Sequence, residues 1–486
     1  MARLSHPSEN DCIVGAAGAT RHRAGRAAYV AAAVGLLASA ALFAYSSYRM
    51  LGWSHAVLVE DGRWVAASSS ALLGLITLVG GARWCAFMGM ALLNHRRDVN
   101  RPPPRLPRWP AVSVLVPAYN EGETIDAAIE SLVGLDYPRY EVIVVDDGSR
   151  DETLARARKY VGSHHGRCTV RVLSKPNGGK WSALNYGFRH AASELLLCVD
   201  ADSRLGPDAL TRLVGRMADP GVSAVAGQVR VRNRVNLLTR LQGLEYVISN
   251  GLVRAAQSLW GCVLVVPGPI GLFRRSALEE LFLRYGAAPS ERPGGAQPAP
   301  IVPAGGVPGP FESDTFAEDF DLSLAILSLG GRIVYEPLAV SHTKAPQGAA
   351  ALLNQRYRWC RGTIQVLRKF LRRARRSPEL LHPRLVAWLT ITYLMELVVM
   401  PAAACVAVCL LGTFLASGGD PVPLLGWAAA FLLVNLNATA FFTDIHGDTP
   451  GTLAVLPVYD LYHSFLLNGG WVIAVVDELR GSRMRW

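Results

Sequence analysis

Long apolar runs near both ends constrain the fold of this chain more than any other feature of its sequence. Two of them precede a long, mostly polar middle and three follow it, at residues 27–48, 65–93, 385–416, 424–443 and 453–476. A run of about 20 apolar residues can cross the hydrocarbon core of a bilayer as a helix. The sequence therefore predicts two transmembrane helices within residues 27–95, an aqueous domain at residues 105–345, and about three transmembrane or re-entrant helices within residues 385–478.

Positive side chains beside these runs indicate how the chain is oriented. Arginines precede the first run, follow the second and precede the third, whereas the loop at residues 49–64 is poor in cations. By the positive-inside rule, the N-terminus at residues 1–26 and the central domain face the cytoplasm, in a multi-pass protein of the inner or plasma membrane. The basic tail at residues 479–486 also favours the cytoplasm, which three full spans do not allow. Either one C-terminal segment is re-entrant or the tail departs from the rule.

The first apolar run has an alternative interpretation. Arg21, Arg23 and Arg26 precede it, as they would precede the core of a secretory signal peptide. The run is longer than a typical signal-peptide core and a second span follows, which favours a retained membrane helix.

The net charge of +11 lies mostly beside the membrane runs. Attraction to anionic lipids explains it, at about 1 kcal/mol per basic residue near the surface. No long polar stretch interleaves aromatic and basic residues, so the sequence favours membrane lipids and not nucleic acid as a partner. The eight cysteines form no Cys-x-x-Cys pair, which indicates neither a zinc site nor a disulfide framework and agrees with a reducing compartment.

The polar middle alternates short apolar runs with helical patterns. Strands are predicted at residues 111–120, 140–149, 170–175 and 194–203, and helices at residues 123–135, 150–161 and 179–191. This alternation predicts an α/β domain with a mostly parallel sheet of the nucleotide-binding class, embedded between transmembrane helices.

Three of these strands end in polar clusters, "PAYNE" at 117–121, "DDGS" at 146–149 and "DAD" at 200–202. Ligands of such sheets bind at the carboxyl ends of the strands. Asp200 and Asp202 could both reach one hard cation, Mg²⁺ or Mn²⁺, and its phosphate ligands. Each cluster alone has a plainer explanation, since "DDGS" could be a turn with a helix N-cap and "PNGGK" at 176–180 a simple turn. Lys180 could equally meet a phosphate at the start of a helix.

A later acidic segment, "FAEDFDLSLAI" at 316–326, opens another helix with Glu318, Asp319 and Asp321. These acids either complement the helix dipole, at about 0.3–1 kcal/mol each, or include a general base. The Pro- and Gly-rich segment at 285–315 before them is predicted to be a flexible insertion, either without a role or acting as a mobile lid.

The segment "NQRYRWCRG" at 354–362 belongs to a predicted interfacial amphipathic helix at residues 346–380. Gln355, Arg358 and Trp359 are spaced i, i+3 and i+4, which places them on one face of a helix. That face could close a site, and Arg356 and Arg361 are then expected to meet lipid headgroups.

The motifs "VDDGS", "DAD", "AED" and "QRYRW" occur in this order over roughly residues 108–370. In this respect the chain resembles the processive membrane-bound glycosyltransferases of family 2, inverting enzymes with the GT-A fold. The resemblance is closest to the poly-N-acetylglucosamine, hyaluronan and chitooligosaccharide synthases. It implies polymerisation of a sugar, N-acetylglucosamine first, from a UDP-sugar donor, with export of the growing polysaccharide. A small membrane partner subunit is compatible with it.

The resemblance also implies a role for each matching residue. Asp319 would be the catalytic base, and Asp200 and Asp202 would bind the metal and the diphosphate. Asp147 would bind the uracil, and Lys180 and Asn185 would lie on the donor side. Arg358 would meet the diphosphate. The acceptor would be bound by Trp359, Gln355, Glu318 and Gly268.

Three other functions fit the same motifs. They are a non-processive transfer of one sugar to a lipid, a hyaluronan-type synthase, and an inactive nucleotide-sugar-binding membrane scaffold. Glu396, Asp460 and His463 lie in or beside the C-terminal apolar runs, where they either line a glycan channel or pair between helices.

Overall fold

A computed structural model of the chain describes residues 26–61, 63–100, 106, 108–285, 307–312, 315, 317–399, 411–412, 415–416, 421–446 and 454–480. Outside this part lie most of the N-terminal segment at 1–26, the basic tail beyond residue 480 and most of the predicted insertion at 285–315. The side chains of Glu396, Asp460 and His463 are also outside it.

Three helices in the described part are long and apolar enough to cross a membrane. They are α1 (Arg26–Asp61), α2 (Trp64–Asn100) and α13 (Val422–His446). Alanine and leucine dominate these segments, and both residues lose little side-chain freedom in a helix. The first two helices contain the apolar runs at 27–48 and 65–93, and α13 contains the run at 424–443. All three pack against one another.

The other C-terminal apolar runs form shorter described pieces. The run at 385–416 includes most of α12 (Pro383–Leu389) and the π-helical turn Thr390–Val399. Within 453–476 lie α14 (Leu456–Leu461), the π-helical turn Tyr462–Leu467 and most of α15 (Asn468–Leu479).

The middle of the chain folds around one nine-stranded sheet with the order β3-β4-β2-β1-β5-β8-β7-β9-β6. The strands are β1 (Val112–Ala118), β2 (Tyr140–Asp146), β3 (Gly162–His164), β4 (Cys168–Ser174), β5 (Leu195–Cys198), β6 (Arg204–Leu205), β7 (Val222–Val231), β8 (Gly271–Arg274) and β9 (Arg332–Thr343). Strands β4, β2, β1 and β5 are mutually parallel, as predicted for a mostly parallel sheet. Strand β8 runs antiparallel to both β5 and β7, and makes the sheet mixed.

Helices cover the sheet and connect its strands. They are α3 (Ile125–Val133), α4 (Thr153–Arg158), α5 (Lys180–His190), α6 (Ala209–Met217), α7 (Leu237–Glu245), α8 (Val253–Ser258), α9 (Arg275–Tyr285), α10 (Glu318–Ser328) and α11 (Ala349–Arg376). A π-helical turn, Tyr246–Leu252, joins α7 to α8.

Both faces of the sheet are buried, as the continuous apolar strands require. Val114 and Val116 point into one core with Ile129 of α3. Leu115, between them, points into the opposite core, which also includes Phe87 of the membrane helix α2. Each such fully buried side chain contributes roughly 1.5–3 kcal/mol to stability. The membrane helices and the sheet therefore share one core.

An ion-pair cluster also fastens the end of α2 to the domain. The guanidinium of Arg216 lies 2.7 Å from Asp98 of α2 and 2.6 Å from Glu336 of β9. All three side chains are mostly buried, so removing one partner would leave an uncompensated charge.

Candidate active site

The parallel half of the sheet gathers the polar strand ends at one edge. Because β1 lies between β2 and β5, the segments after Ala118, Asp146 and Cys198 leave the sheet side by side. This edge is where an α/β sheet binds its ligands. The structure therefore brings the three polar clusters together, as the sequence predicts.

Asp147 is buried and organises the turn that follows β4. Its carboxylate accepts hydrogen bonds from Lys175 Nζ at 2.5 Å and from the backbone N–H of Gly179 at 2.7 Å. Gly179 has a φ of +89°, in the region that favours glycine, and it immediately precedes α5. Asp147 thus fixes the start of α5 and the position of Lys180. That Asp147 binds the uracil of the donor stays a prediction.

Lys180 joins residues from three separate parts of the sequence. Its Nζ lies 2.8 Å from Asp200 after β5 and 2.8 Å from Glu318 at the start of α10. Burial disfavours the charged ammonium, but the two carboxylates outweigh it and raise the pKa of Lys180 well above its usual range. A Cβ on Gly268 would lie 2.8 Å from the same Nζ, so this position needs glycine or a shift of the lysine.

Asp319 lines the same cavity as Lys180, Asp200, Glu318 and Gly268. Burial, followed by the negative charge of Glu318, raises its pKa to about 6. For Glu318, burial again opposes the charged form, but the ammonium of Lys180 prevails and lowers the pKa. Two adjacent carboxyls therefore differ in proton affinity. Glu318 stays an anion, while Asp319 can accept a proton near neutral pH.

Asp202 interacts electrostatically with another carboxylate, that of Glu121, for which the sequence predicts no role. The Asp202 side chain accepts hydrogen bonds from Ser203 at 3.1 Å and from Thr343 at 3.3 Å. Burial and then the charge of Asp200 raise its pKa. Burial also raises the pKa of Glu121, with a further contribution from Asp202. This concentration of carboxylates suits a divalent cation.

The described residues contain no group of three or more His, Cys, Asp or Glu side chains arranged to hold a metal ion. Asp200 and Asp202 would supply two oxygen ligands, and phosphate oxygens of a substrate could supply others, as is usual for Mg²⁺. The residues present therefore fit a Mg²⁺ or Mn²⁺ ion whose ligands come from both the protein and the substrate.

The predicted interfacial helix is α11, and two of its arginines do not face lipid. Arg356 is buried and pairs with Glu245 at 2.7 Å, and Arg361 is buried and pairs with Glu478 at 2.9 Å. The expectation that both meet lipid headgroups is wrong. Each guanidinium has a carboxylate partner on another helix, and a buried pair of this kind is costly to break.

The remaining residues of this motif keep accessible side chains. Gln355 is half-buried, whereas Arg358 and Trp359 are exposed. The cavity around Asp319 is lined by neither Arg358 nor Trp359. The start of α11 is nevertheless tied to the site, because Thr343, which contacts Asp202, ends β9 six residues before the helix.

The described end of the insertion forms one wall of the site. Asn185 is buried and donates to the carbonyls of Val307 and Phe311, both at 2.8 Å, while its amide oxygen accepts from Phe311 N–H at 3.0 Å. Phe311 lines the Asp319 cavity. The next residue, Glu312, pairs with Lys369 of α11 at 2.7 Å. In this structure Asn185 thus anchors the 307–312 segment.

Sequence reasoning missed three residues of this site. Glu121 could have been assigned, because it follows β1 as Asp147 follows β2. Thr343 and Phe311 gave no local signal, since the first ends a strand that was not predicted and the second lies in a segment treated as a flexible insertion.

Comparison with known proteins gives a consistent result. Residues 113–282 match the family model described as "Glycosyl transferase family 2". A poly-beta-1,6-N-acetyl-D-glucosamine synthase of Staphylococcus aureus is 29% identical over 276 residues, which cover 57% of this chain and 58% of the relative. An N-acetylglucosaminyltransferase of Mesorhizobium japonicum is 35% identical over 268 residues, or 54% of this chain and 58% of the relative. The chain thus spans little more than half the length of either relative.

A solved structure has the same fold. A mannosyltransferase of Pyrobaculum calidifontis, in complex with GDP-Man and Mn²⁺, superimposes with a TM-score of 0.53 and 24% identity. The match covers 85% of this chain and all of that one. The similarity confirms the predicted GT-A fold.

Proposed function

The chain carries a glycosyltransferase domain of family 2 at residues 113–282, and from this we propose that it transfers a sugar from a UDP-sugar to a growing saccharide at a membrane. The donor is UDP-N-acetylglucosamine, the transfer inverts the anomeric carbon, and repeated transfer makes a polysaccharide that the C-terminal segments help to export. The names of the two relatives support the choice of sugar.

One observation carries this proposal: Lys180 connects Asp200 to Glu318 in the cavity that Asp319 also lines. Displacing UDP from the anomeric carbon places negative charge on the leaving diphosphate. A fixed ammonium at the strand ends stabilises that charge without reorganising. The acceptor hydroxyl must lose a proton as it attacks from the opposite side, and Asp319 is the carboxylate suited to take it. Attack opposite the leaving group gives a β-linked product from an α-linked donor.

Two further groups would act on the diphosphate. Asp200 and Asp202 would hold a divalent cation, which when bound supplies Lewis-acid stabilisation of the leaving group. Arg358 is exposed on α11 and carries a rigid fork of donors that matches phosphate oxygens.

The three long apolar helices support the membrane location. The cationic flanks of the predicted spans support a cytoplasmic catalytic domain, where UDP-sugars would reach it. The polymer made there would then have to cross the bilayer.

The test is to incubate the purified full-length chain in detergent, with Mn²⁺, separately with UDP-N-acetylglucosamine, UDP-glucuronic acid and UDP-glucose, and to measure UDP release and products. We expect release from UDP-N-acetylglucosamine and a polymer of that sugar. A product with one sugar on a lipid would indicate a non-processive enzyme, and a need for two donors would indicate a hyaluronan-type synthase. If no donor releases UDP, the remaining alternative is an inactive membrane scaffold that binds nucleotide sugars.

A matched pair of variants separates chemistry from folding. Asp319→Asn removes the proposed base, while Asp321→Asn changes a carboxyl on the same helix that pairs with Lys369 at 2.6 Å and does not line the cavity. Turnover should be lost in the first variant and retained in any Asp321→Asn protein that folds.

A further inference from the structure

The guanidinium of Arg356 covers one face of the Trp359 indole. Its central carbon lies 4.2 Å from the centroid of the Trp359 ring. The same guanidinium donates to Glu245 at 2.7 Å, and the hydroxyl of Tyr462 donates to the same Glu245 oxygen at 2.8 Å. A continuous chain of contacts therefore runs from the C-terminal apolar segment, through Tyr462, to an indole on α11.

The two ends of this chain differ sharply in exposure. Only 4% of the Arg356 side chain and 12% of the Glu245 side chain are exposed, whereas Trp359 is 43% exposed. A buried cation held by a carboxylate is restrained to one position, and a cation–π contact is stronger when it is desolvated. The covered face of the indole is therefore fixed, and accessible indole surface remains.

We propose that Arg356 is a positioning residue for the acceptor sugar. It holds the Trp359 ring in one orientation, so that the accessible face of the indole stacks on the apolar face of the acceptor. This inference rests on the proposed function, and it adds a residue that does not itself touch the reacting atoms. Through Glu245 and Tyr462, the orientation of the indole depends on how the C-terminal apolar segment packs.

Arg361 provides a matched control on the same helix. It is equally buried, it pairs with Glu478 at 2.9 Å, and its guanidinium lies 5.7 Å from the Tyr357 ring. It therefore helps to fasten α11 to α15 as Arg356 helps to fasten α11 to α7. The contact with Trp359 distinguishes Arg356 in this comparison.

The first measurement does not need turnover. Arg356→Lys keeps a cation for Glu245 but loses the planar group that covers the indole. Radical footprinting of the full-length protein, read by mass spectrometry, measures the oxidation of Trp359. Oxidation should be about threefold faster in Arg356→Lys, because the ring face that the guanidinium covers becomes accessible. Arg361→Lys should match the wild type. An oligosaccharide of N-acetylglucosamine, chitotetraose, should protect Trp359 in the wild type and in Arg361→Lys more than in Arg356→Lys.

The second measurement is kinetic. Arg356→Lys should raise the KM for chitotetraose about tenfold while the KM for UDP-N-acetylglucosamine changes less than about twofold. Tyr462→Phe, which removes only one hydroxyl, should act in the same direction with a smaller effect. In a Trp359→Ala background, Arg356→Lys should add little, because the ring that it positions is gone.

The outcomes separate this inference from the proposed function. Equal footprints and equal acceptor KM values in Arg356→Lys and Arg361→Lys would overturn it, as would an equal rise in the KM of both substrates. If the wild type transfers no sugar, the proposed function fails, and the footprint with and without chitotetraose still decides whether Arg356 positions Trp359 for a saccharide.

Discussion

The Nζ of Lys180 lies 2.8 Å from a carboxylate oxygen of Glu318. Because this ion pair keeps Glu318 charged, the negative charge beside Asp319 persists at neutral pH. Burial and that neighbouring charge together raise the pKa of Asp319 to about 6. Burial and the charge of Glu318 therefore outweigh the nearby Lys180 ammonium, which by itself lowers the pKa of Asp319.

Replacing the base tests this arrangement first. Asp319→Asn is expected to lower kcat by about 10²–10⁴-fold, the usual contribution of a positioned general base. The affinity for UDP, measured by calorimetry, should stay within about threefold of the wild type, since the substitution keeps the shape of the side chain. Activity within about twofold of the wild type would remove Asp319 from the mechanism.

The pH dependence follows from the same carboxyl. Asp319 must be ionised to accept a proton, so kcat/KM should rise with pH up to about 6 and then level off. In Glu318→Gln the neighbouring negative charge is lost and the Lys180 ammonium is left to act on Asp319. Both changes favour ionisation, so the inflection should move to lower pH. The initial rate of UDP release, measured from about pH 4.5 to about pH 8, checks both proteins. An inflection that stays in place in Glu318→Gln would contradict the coupling.

Lys180 should matter for the donor more than for the acceptor. Lys180→Met removes the ammonium that lies between Asp200 and Glu318. We expect at least about a tenfold loss of UDP affinity, the scale of a charge-assisted hydrogen bond. Titration calorimetry with UDP measures this loss. Lys159→Met is a suitable surface control, because that lysine follows α4 away from the cavity lining. Unchanged UDP affinity in Lys180→Met would place the donor elsewhere.

A divalent cation should be required for turnover. Dialysis against EDTA is expected to abolish UDP release, and Mn²⁺ or Mg²⁺ should restore it. Asp202→Asn should raise the cation concentration needed for half-maximal activity, because it removes one of the two proposed protein ligands. Full activity in EDTA would show that Lys180 and Arg358 suffice for the diphosphate.

The Asn185 anchor predicts a stability effect. Asn185→Ala removes two buried hydrogen bonds to Phe311 and a part-buried one to Val307, and leaves backbone groups unsatisfied. We expect a loss of about 1–3 kcal/mol in the free energy of unfolding. Thermal unfolding in detergent measures it. Asn177→Ala, which removes a single, part-buried hydrogen bond to the carbonyl of Asp147, should lose less. Equal losses in both variants would contradict the anchor.

The sequence predicts the parallel half of the sheet well, for a physical reason. Strands buried on both faces, such as β1 and β2, are continuous apolar runs that end in turn residues. The antiparallel insertion of β8 was not predictable in this way. Gly271–Arg274 has only four residues, and its place between β5 and β7 depends on contacts between distant segments.

The site follows the same division. The location of Asp200 and Asp319 at the site could be predicted, because acids beside buried strands and helices are costly without a role. The burial of Arg356 could not, because its partner Glu245 lies 111 residues earlier in the chain and no local pattern connects them. A basic helix beside membrane spans predicts contacts with lipid. In the structure, Arg356 and Arg361 pair instead with carboxylates of other helices.

The most direct test of the central claim is the stereochemistry of transfer. Proton NMR of the product formed from α-linked UDP-N-acetylglucosamine distinguishes a β- from an α-linked sugar by its anomeric coupling. Attack by a hydroxyl that Asp319 deprotonates predicts a β-linked product, formed by the wild type and lost in Asp319→Asn. An α-linked product, or a β-linked product formed equally well by Asp319→Asn, would contradict the account.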